Sequence, residues 1–204
     1  MVNLPGCGTL HVSGDVSLLD HPAIAVVGSR RASHEGRALA ADVACELAQR
    51  DIVVMSGLAA GIDATAHEAA IQAGGHTIAV IGTSLDQVYP RHHVVLQERI
   101  AREHLVVSPF GSGTPPARWH FPARNRVMAR LASAMVLVEA EETSGTRYQV
   151  EACVALGKPV FARRELLDGL AWLRERSRAT IAAWESAHDV VRLVVACGCA
   201  VALT

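Results

Sequence analysis

The chain has 204 residues, of which 50% are hydrophobic and 19% charged, and its formal net charge is −1 at pH 7. This length suits one α/β domain, and the hydrophobic fraction excludes a disordered chain. The near-zero net charge excludes a strongly basic duplex-DNA binder, so any nucleic-acid binding must come from a local patch. No membrane-spanning apolar run or signal peptide is recognised, and the five scattered cysteines favour a reducing cytoplasm.

Short apolar runs, three of them followed by glycine directly or one residue later, alternate with helical patterns along the middle of the chain. The predicted strands are 23–27, 52–55, 77–81, 105–107, 134–138 and 159–161, and the predicted helices are 34–50, 62–73, 93–103, 121–131 and 146–156. This alternation predicts a single α/β domain of Rossmann-like fold, with a mostly parallel sheet and helices on both faces. We expect 1–22 to be a lead-in with at most one edge strand, 23–161 the Rossmann domain and 162–204 its helical C-terminal extension.

Unusual residues follow four of the predicted strands. The four segments are Gly28-Ser29-Arg30-Arg31, Ser56 through Asp63, Gly82-Thr83-Ser84 and Glu139 through Thr146. Open parallel sheets bind ligands beyond the carboxyl ends of their strands. Glycine lets the backbone approach a ligand closely, and the helix N-termini that follow offer N–H groups and partial positive charge. One such turn is ordinary, but four together predict a site for a phosphate-bearing ligand, either a nucleotide or a nucleic-acid backbone.

Arginines and aromatic residues accompany these turns. Guanidinium groups match phosphate oxygens, and rings such as those of Trp119, Phe121 and Tyr148 can stack on bases. The predicted binding residues are Gly28, Ser29, Arg30, Arg31, Ser56, Gly57, Gly61, Asp63, Gly82, Thr83, Phe121, Arg124, Asn125, Arg126, Ser144, Gly145 and Thr146. Arg126 is alternatively a solvated helix residue. Asp63 is alternatively a helix cap, with His67 one turn later as its hydrogen-bond partner.

Cys197-Gly-Cys199 differs in chemistry from these turns, because its two thiols could bind a metal ion or be oxidised. Structural zinc usually needs four ligands, so we predict no metal site, and we expect no cofactor.

Five motifs carry a family resemblance. They are Ala-Val-Val-Gly-Ser-Arg-Arg-Ala at 25–32, Ser-Gly-Leu-Ala-Ala-Gly-Ile-Asp-Ala-Thr-Ala-His at 56–67, Gly-Gly-His-Thr-Ile-Ala-Val-Ile-Gly at 74–82, Val-Tyr-Pro at 88–90 and His-Phe-Pro-Ala-Arg-Asn-Arg at 120–126. This pattern resembles the DprA/Smf DNA-processing family, over about residues 10–161. Residues 162–204 match none of its motifs.

The resemblance implies single-stranded DNA binding, protection of incoming DNA and loading of the RecA recombinase during natural transformation, without a defined enzymatic reaction. The residues that match the family motifs would line the single-strand groove. They are Gly28, Ser29, Arg30, Ser56, Gly57, Gly61, Asp63, Phe121, Arg124, Asn125 and Arg126.

The alternative is a nucleotide-binding sensor or nucleotide N-glycosidic hydrolase of the wider superfamily that includes the LOG hydrolases. The Gly-Thr turn and Gly-Lys-Pro-Val at 157–160 are similar to that superfamily. As a phosphoribohydrolase, the chain would use Glu139 or Glu151 at the sugar, with Arg30 or Arg126 on the phosphate. We also expect a homodimer that packs through the apolar tail.

Overall fold

Residues 1–175 and 180–199, which the computed structural model describes, form a nine-stranded sheet and eight α-helices. The strands are Val2–Leu4 (β1), Gly8–Gly14 (β2), Ala23–Gly28 (β3), Val53–Ser56 (β4), Thr77–Val80 (β5), Leu105–Ser108 (β6), Ala134–Glu139 (β7), Val160–Arg163 (β8) and Ile181–Trp184 (β9). The helices are His34–Ala48 (α1), Ile62–Gln72 (α2), Val94–Glu103 (α3), His120–Leu131 (α4), Thr146–Ala155 (α5), Arg164–Gly169 (α6), Ala171–Arg174 (α7) and Ala187–Ala196 (α8). The predicted Rossmann-like α/β fold is confirmed.

The strand order is β1-β2-β6-β5-β4-β3-β7-β8-β9. All neighbours from β6 to β9 pair in parallel, whereas β1 and β2 form an antiparallel edge. The chain adds β4, β5 and β6 on one side of β3, and then β7, β8 and β9 on the other. The order therefore reverses between β3 and β7, and a crevice opens there beyond the carboxyl ends of both strands.

Alternate residues of β3 face two separate hydrophobic clusters. Ala25 and Val27 pack with apolar residues of α4, α5 and α7. Ile24 and Val26 pack with α1, α2 and α8 on the opposite face. Because both faces are covered, the strand is a continuous apolar run rather than an alternating one. None of the helices in the two described ranges combines the length and apolarity needed to cross a bilayer.

The two ends of the chain differ from the prediction. The lead-in contributes two strands instead of at most one, because β2 pairs with the exposed edge of β6. The tail is not wholly helical, because β9 pairs in parallel with β8 and the Trp184 indole N–H donates to the Phe161 carbonyl at 3.1 Å. Both strands lie at or near a sheet edge and carry few buried residues, so neither shows the apolar run of a central strand. Residues 176–179 and 200–204 of the predicted extension lie outside the described part.

Candidate functional site

A cavity of about 490 Å³ occupies the crevice where the strand order reverses. We call it the switch-point cavity. Its walls include these predicted binding residues: Gly28, Ser29, Arg30, Arg31, Asp63, Phe121, Arg124, Asn125, Ser144, Gly145 and Thr146. Residues from the ends of β3 and β7 thus meet residues from α2, α4 and α5, as the positions of these segments after the strands predicted.

Two further cavities continue from the switch-point cavity. The Phe121 cavity, of about 80 Å³, shares Arg30, Phe121 and Arg124 with it and adds Gly57, Gly82, Thr83 and Tyr89. The Arg91 groove, of about 550 Å³, shares Thr83, Tyr89 and Phe121 with the Phe121 cavity and adds Gln87, Arg91, Pro116 and Arg118. Because neighbouring cavities share lining residues, the three adjoin one another around the Phe121 ring, and we call this row of cavities the path.

The ring of Phe121 lies close to two side chains that also line the path. The Arg30 guanidinium lies over the ring, 5.3 Å from its centroid, and the Tyr89 ring lies 5.6 Å away, centroid to centroid. A Cβ at Gly82 would lie 2.9 Å from Cδ1 of Phe121, so glycine is required for this ring position. Tyr89 remains 53% exposed. The cluster therefore offers exposed aromatic surface beside an exposed cation.

Arg124 is a buried residue in the floor of the path. Its buried guanidinium donates from Nη1 to the carbonyls of Gly57 at 2.5 Å and Val80 at 2.7 Å, which joins the ends of β4 and β5. Burial raises the pKa of the Asp63 carboxyl, and the Arg124 charge opposes that shift. Burial likewise lowers the pKa of Arg124, which Asp63 opposes. Arg124 therefore has a structural role, in addition to the positive charge that it contributes from below.

The N-terminus of α1 is capped by protein groups. The Ser33 hydroxyl accepts from the Gly36 N–H at 2.9 Å and donates to Oε2 of Glu139 at 2.5 Å. The Ser33 N–H also donates to the Glu139 carboxylate, at 3.1 and 3.2 Å. Glu139 is thereby engaged in capping α1, and Glu151 pairs with Arg147 at 2.9 Å. Neither carboxylate lines any of the three cavities, so this geometry gives no support to the hydrolase alternative.

The start of α2 has no side-chain cap, but backbone carbonyls engage its first amides. The Ile62 N–H donates to the Ser29 carbonyl at 3.2 Å, and the Ala64 N–H donates to the Ala59 carbonyl at 3.1 Å. Gly61, with φ of 78°, lets the chain turn where a Cβ would overlap the Ser29 carbonyl. The missing Cβ atoms at these turns thus make room for protein atoms. The first amides of α1 and α2 are therefore less available for binding phosphate than the sequence indicated.

The remaining predicted residues divide between buried and solvent-exposed positions. Ser56 is buried, and its hydroxyl donates to the Val26 carbonyl at 2.6 Å. Arg126 is exposed on α4 and lines none of the three cavities. The predicted Asp63–His67 hydrogen bond is wrong, because His67 is paired with Thr77 instead.

Three residues of the path were missed by the sequence analysis. Tyr89 and Arg91 follow β5, and Arg118 precedes α4; all three side chains are exposed. Within residues 1–175 and 180–199, neither arginine forms an ion pair. A signal existed, because Arg91 lies two positions after Tyr89 and Arg118 directly precedes Trp119. The sequence gave no sign, however, that these two separate loops meet.

Comparisons of this chain with family models and with known sequences agree with each other. The family model described as DNA recombination-mediator protein A matches residues 6–191, and so includes most of the tail that the motifs left unassigned. The chain is 44% identical to DNA processing protein DprA of Streptococcus pneumoniae over 163 residues, which cover 79% of this chain and 57% of the relative. The chain therefore spans little more than half of that protein's length.

Two solved structures resemble the fold closely. The X-ray structure of DprA from Streptococcus pneumoniae superposes with a TM-score of 0.81 at 41% identity, and covers 90% of this chain and 65% of that one. A structure of DNA processing protein A from Helicobacter pylori superposes with a TM-score of 0.82 at 26% identity, and covers 96% of this chain and 94% of that one. That second structure was described for its single-stranded DNA binding mode.

Proposed function

Because the chain belongs to the DNA recombination-mediator protein A family, we propose that it binds single-stranded DNA along the path from the switch-point cavity to the Arg91 groove and acts in DNA processing. The observation that carries this proposal is the adjacency of the three cavities around two aromatic side chains, the half-buried Phe121 and the exposed Tyr89. The single-stranded DNA binding mode described for the Helicobacter pylori relative supports it.

The aromatic side chains of the path favour a single strand over a duplex. Base stacking on Phe121 and Tyr89 needs bases that are free of a partner strand, and stacking of this kind tolerates any sequence. Arg30 remains exposed beside the Phe121 ring, where its guanidinium can reach a phosphate that flanks a stacked base. A duplex hides its base faces and would meet only the arginines.

Local charge supports the same ligand. Among residues 1–175 and 180–199, no Asp or Glu lines the Phe121 cavity or the Arg91 groove. Four exposed arginines, Arg30, Arg31, Arg91 and Arg118, lie along the whole path. Four phosphate contacts correspond to a slope of log affinity against log salt of about −3, at roughly −0.7 per contact for a single strand. A nearly neutral protein can therefore show strongly salt-dependent binding.

Loading of a RecA-type recombinase, protection of incoming DNA and pairing into a homodimer are further proposals that rest on the family resemblance. A reducing cytoplasm is the compartment we propose with them.

Fluorescence anisotropy of labelled oligo-dT, with a matched duplex as competitor, tests the path. Arg91→Ala combined with Arg118→Ala should weaken binding and reduce the salt slope from about −3 to about −1.5. Arg99→Ala with Arg102→Ala is the matched control, because it removes the same charge from the end of α3 that leads into β6, away from all three cavities. Equal losses in both double variants would contradict a specific path.

A further inference from the structure

The C-terminal turn of α8 brings two cysteine side chains together. Gly198, with φ of 68°, follows the last helical turn. The Gly198 N–H donates to the Val195 carbonyl at 3.0 Å, and the Cys199 N–H reaches back to the Val194 carbonyl at 3.1 Å. This is the hydrogen-bond pattern of a Schellman motif, in which the chain folds back over its own helix end. As a result, Sγ of Cys197 lies 2.8 Å from Sγ of Cys199.

The two thiols have different surroundings. Cys197 is exposed, whereas Cys199 is half-buried and its Sγ lies 3.6 Å from the Ser133 carbonyl oxygen. Burial, together with the neighbouring Cys197, raises the pKa of Cys199 to about 12. Cys199 therefore keeps its proton at neutral pH, and Cys197 is the sulfur that a reagent in solution meets first.

We propose that Cys197 and Cys199 form a redox-active dithiol that reacts with small-molecule disulfides of the glutathione type. The Cys197 thiolate attacks one sulfur of the reagent, forms a mixed disulfide and releases one thiolate. The Cys199 sulfur then loses its proton to solvent, attacks Sγ of Cys197 and displaces the second thiolate. In sum, two protein thiols become one disulfide, and one reagent disulfide becomes two thiols.

The geometry favours this chemistry over the alternatives. The covalent bond, of about 2.05 Å, requires little movement from sulfurs that already touch. Within the described residues, no group of three or more His, Cys, Asp or Glu side chains is arranged to hold a metal ion. The dithiol lies near Ser133, at the amino end of β7, whereas the DNA path lies beyond the carboxyl ends. This proposal is independent of the proposed function.

Thiol counting with mass spectrometry tests the proposal. The full chain is incubated with glutathione disulfide at about pH 8, then unfolded and alkylated. The free thiols of the wild type should fall from five to three, with one disulfide inside the Cys197–Cys199 peptide and no retained glutathione. Cys199→Ser and Cys199→Ala should instead retain one glutathione on Cys197. Cys45→Ser, which alters a half-buried cysteine of α1, should form the same disulfide as the wild type.

Three results would overturn the proposal. The first is a wild type that keeps all five thiols. The second is a wild type that retains glutathione on Cys197 as stably as the Cys199 variants do. The third is a disulfide that joins two copies of the chain, which a non-reducing gel separates by size.

Discussion

The buried imidazole of His67 makes the fold sensitive to acid. Its Nδ1 lies 2.6 Å from the Thr77 hydroxyl, which itself donates to the Val54 carbonyl at 2.7 Å. A hydroxyl has one proton to donate, so Nδ1 of His67 must carry the hydrogen. Within the described residues, Nε2 has no hydrogen-bond partner. A second proton there would leave a positive charge buried without an acceptor.

Burial lowers the pKa of His67 from 6.5 to about 3, with the nearby His93 and His104 adding to the shift. Between these two pH values the unfolded chain binds more protons than the folded one, so the free energy of unfolding falls as the pH falls. One pH unit corresponds to about 1.4 kcal/mol, and acidification by about two units below 6.5 therefore removes about 3 kcal/mol. Asp63 acts in the opposite direction, because burial raises its pKa.

A difference measurement isolates His67 from such opposing groups. His67→Asn retains an N–H donor that can reach Thr77 but cannot be protonated in this range. In urea unfolding, the stability difference between wild type and variant should be constant above about pH 6.5 and shrink by about 1.4 kcal/mol per unit below it. His188→Asn, which replaces an exposed histidine of α8, is the control and should give no comparable trend. Parallel pH profiles for wild type and His67→Asn would refute the assignment.

Three further substitutions probe the site. Ser33→Ala removes the cap of α1 and should lower the free energy of unfolding by about 1 kcal/mol without changing oligo-dT affinity; lost affinity at unchanged stability would contradict this. Glu141→Gln removes a carboxylate that lines the switch-point cavity 3.7 Å from Arg31. Because this negative charge repels phosphate, anisotropy should detect tighter binding of oligo-dT at low salt. Glu142→Gln, the control, should have less effect. Gly82→Ala displaces the Phe121 ring and should weaken binding by about tenfold; unchanged affinity would exclude a role for the ring position.

Local sequence patterns predicted the centre of the fold but not its edges. The run Ala23 to Val27 identified β3 because both faces of that strand are buried, which leaves no polar position to interrupt the pattern. The segment Ile181–Trp184 is rich in alanine and was assigned to a helical tail, but pairing with β8 makes it a strand. Such pairing depends on a neighbour that is distant in sequence, and a local pattern does not contain it.

The site was predictable to a similar extent. Arg30 and Phe121 were identified because the first follows a strand and the second belongs to a motif, and both line the path. The capping of α1 by Glu139 was not predictable, because Ser33 lies 106 positions away and meets it only through the pairing of β3 with β7. Arg91 and Arg118 were missed for the same reason, since the strand order brings their loops together.

The salt dependence of strand-selective binding tests the central claim most directly. Anisotropy of labelled oligo-dT and of a matched duplex is measured with the wild type and with Arg30→Ala across a salt series. We expect preference for the single strand, a slope of log affinity against log salt of about −3, and weaker binding by Arg30→Ala. Absence of binding at low salt, equal affinity for the duplex, or a slope near zero would contradict the proposed path.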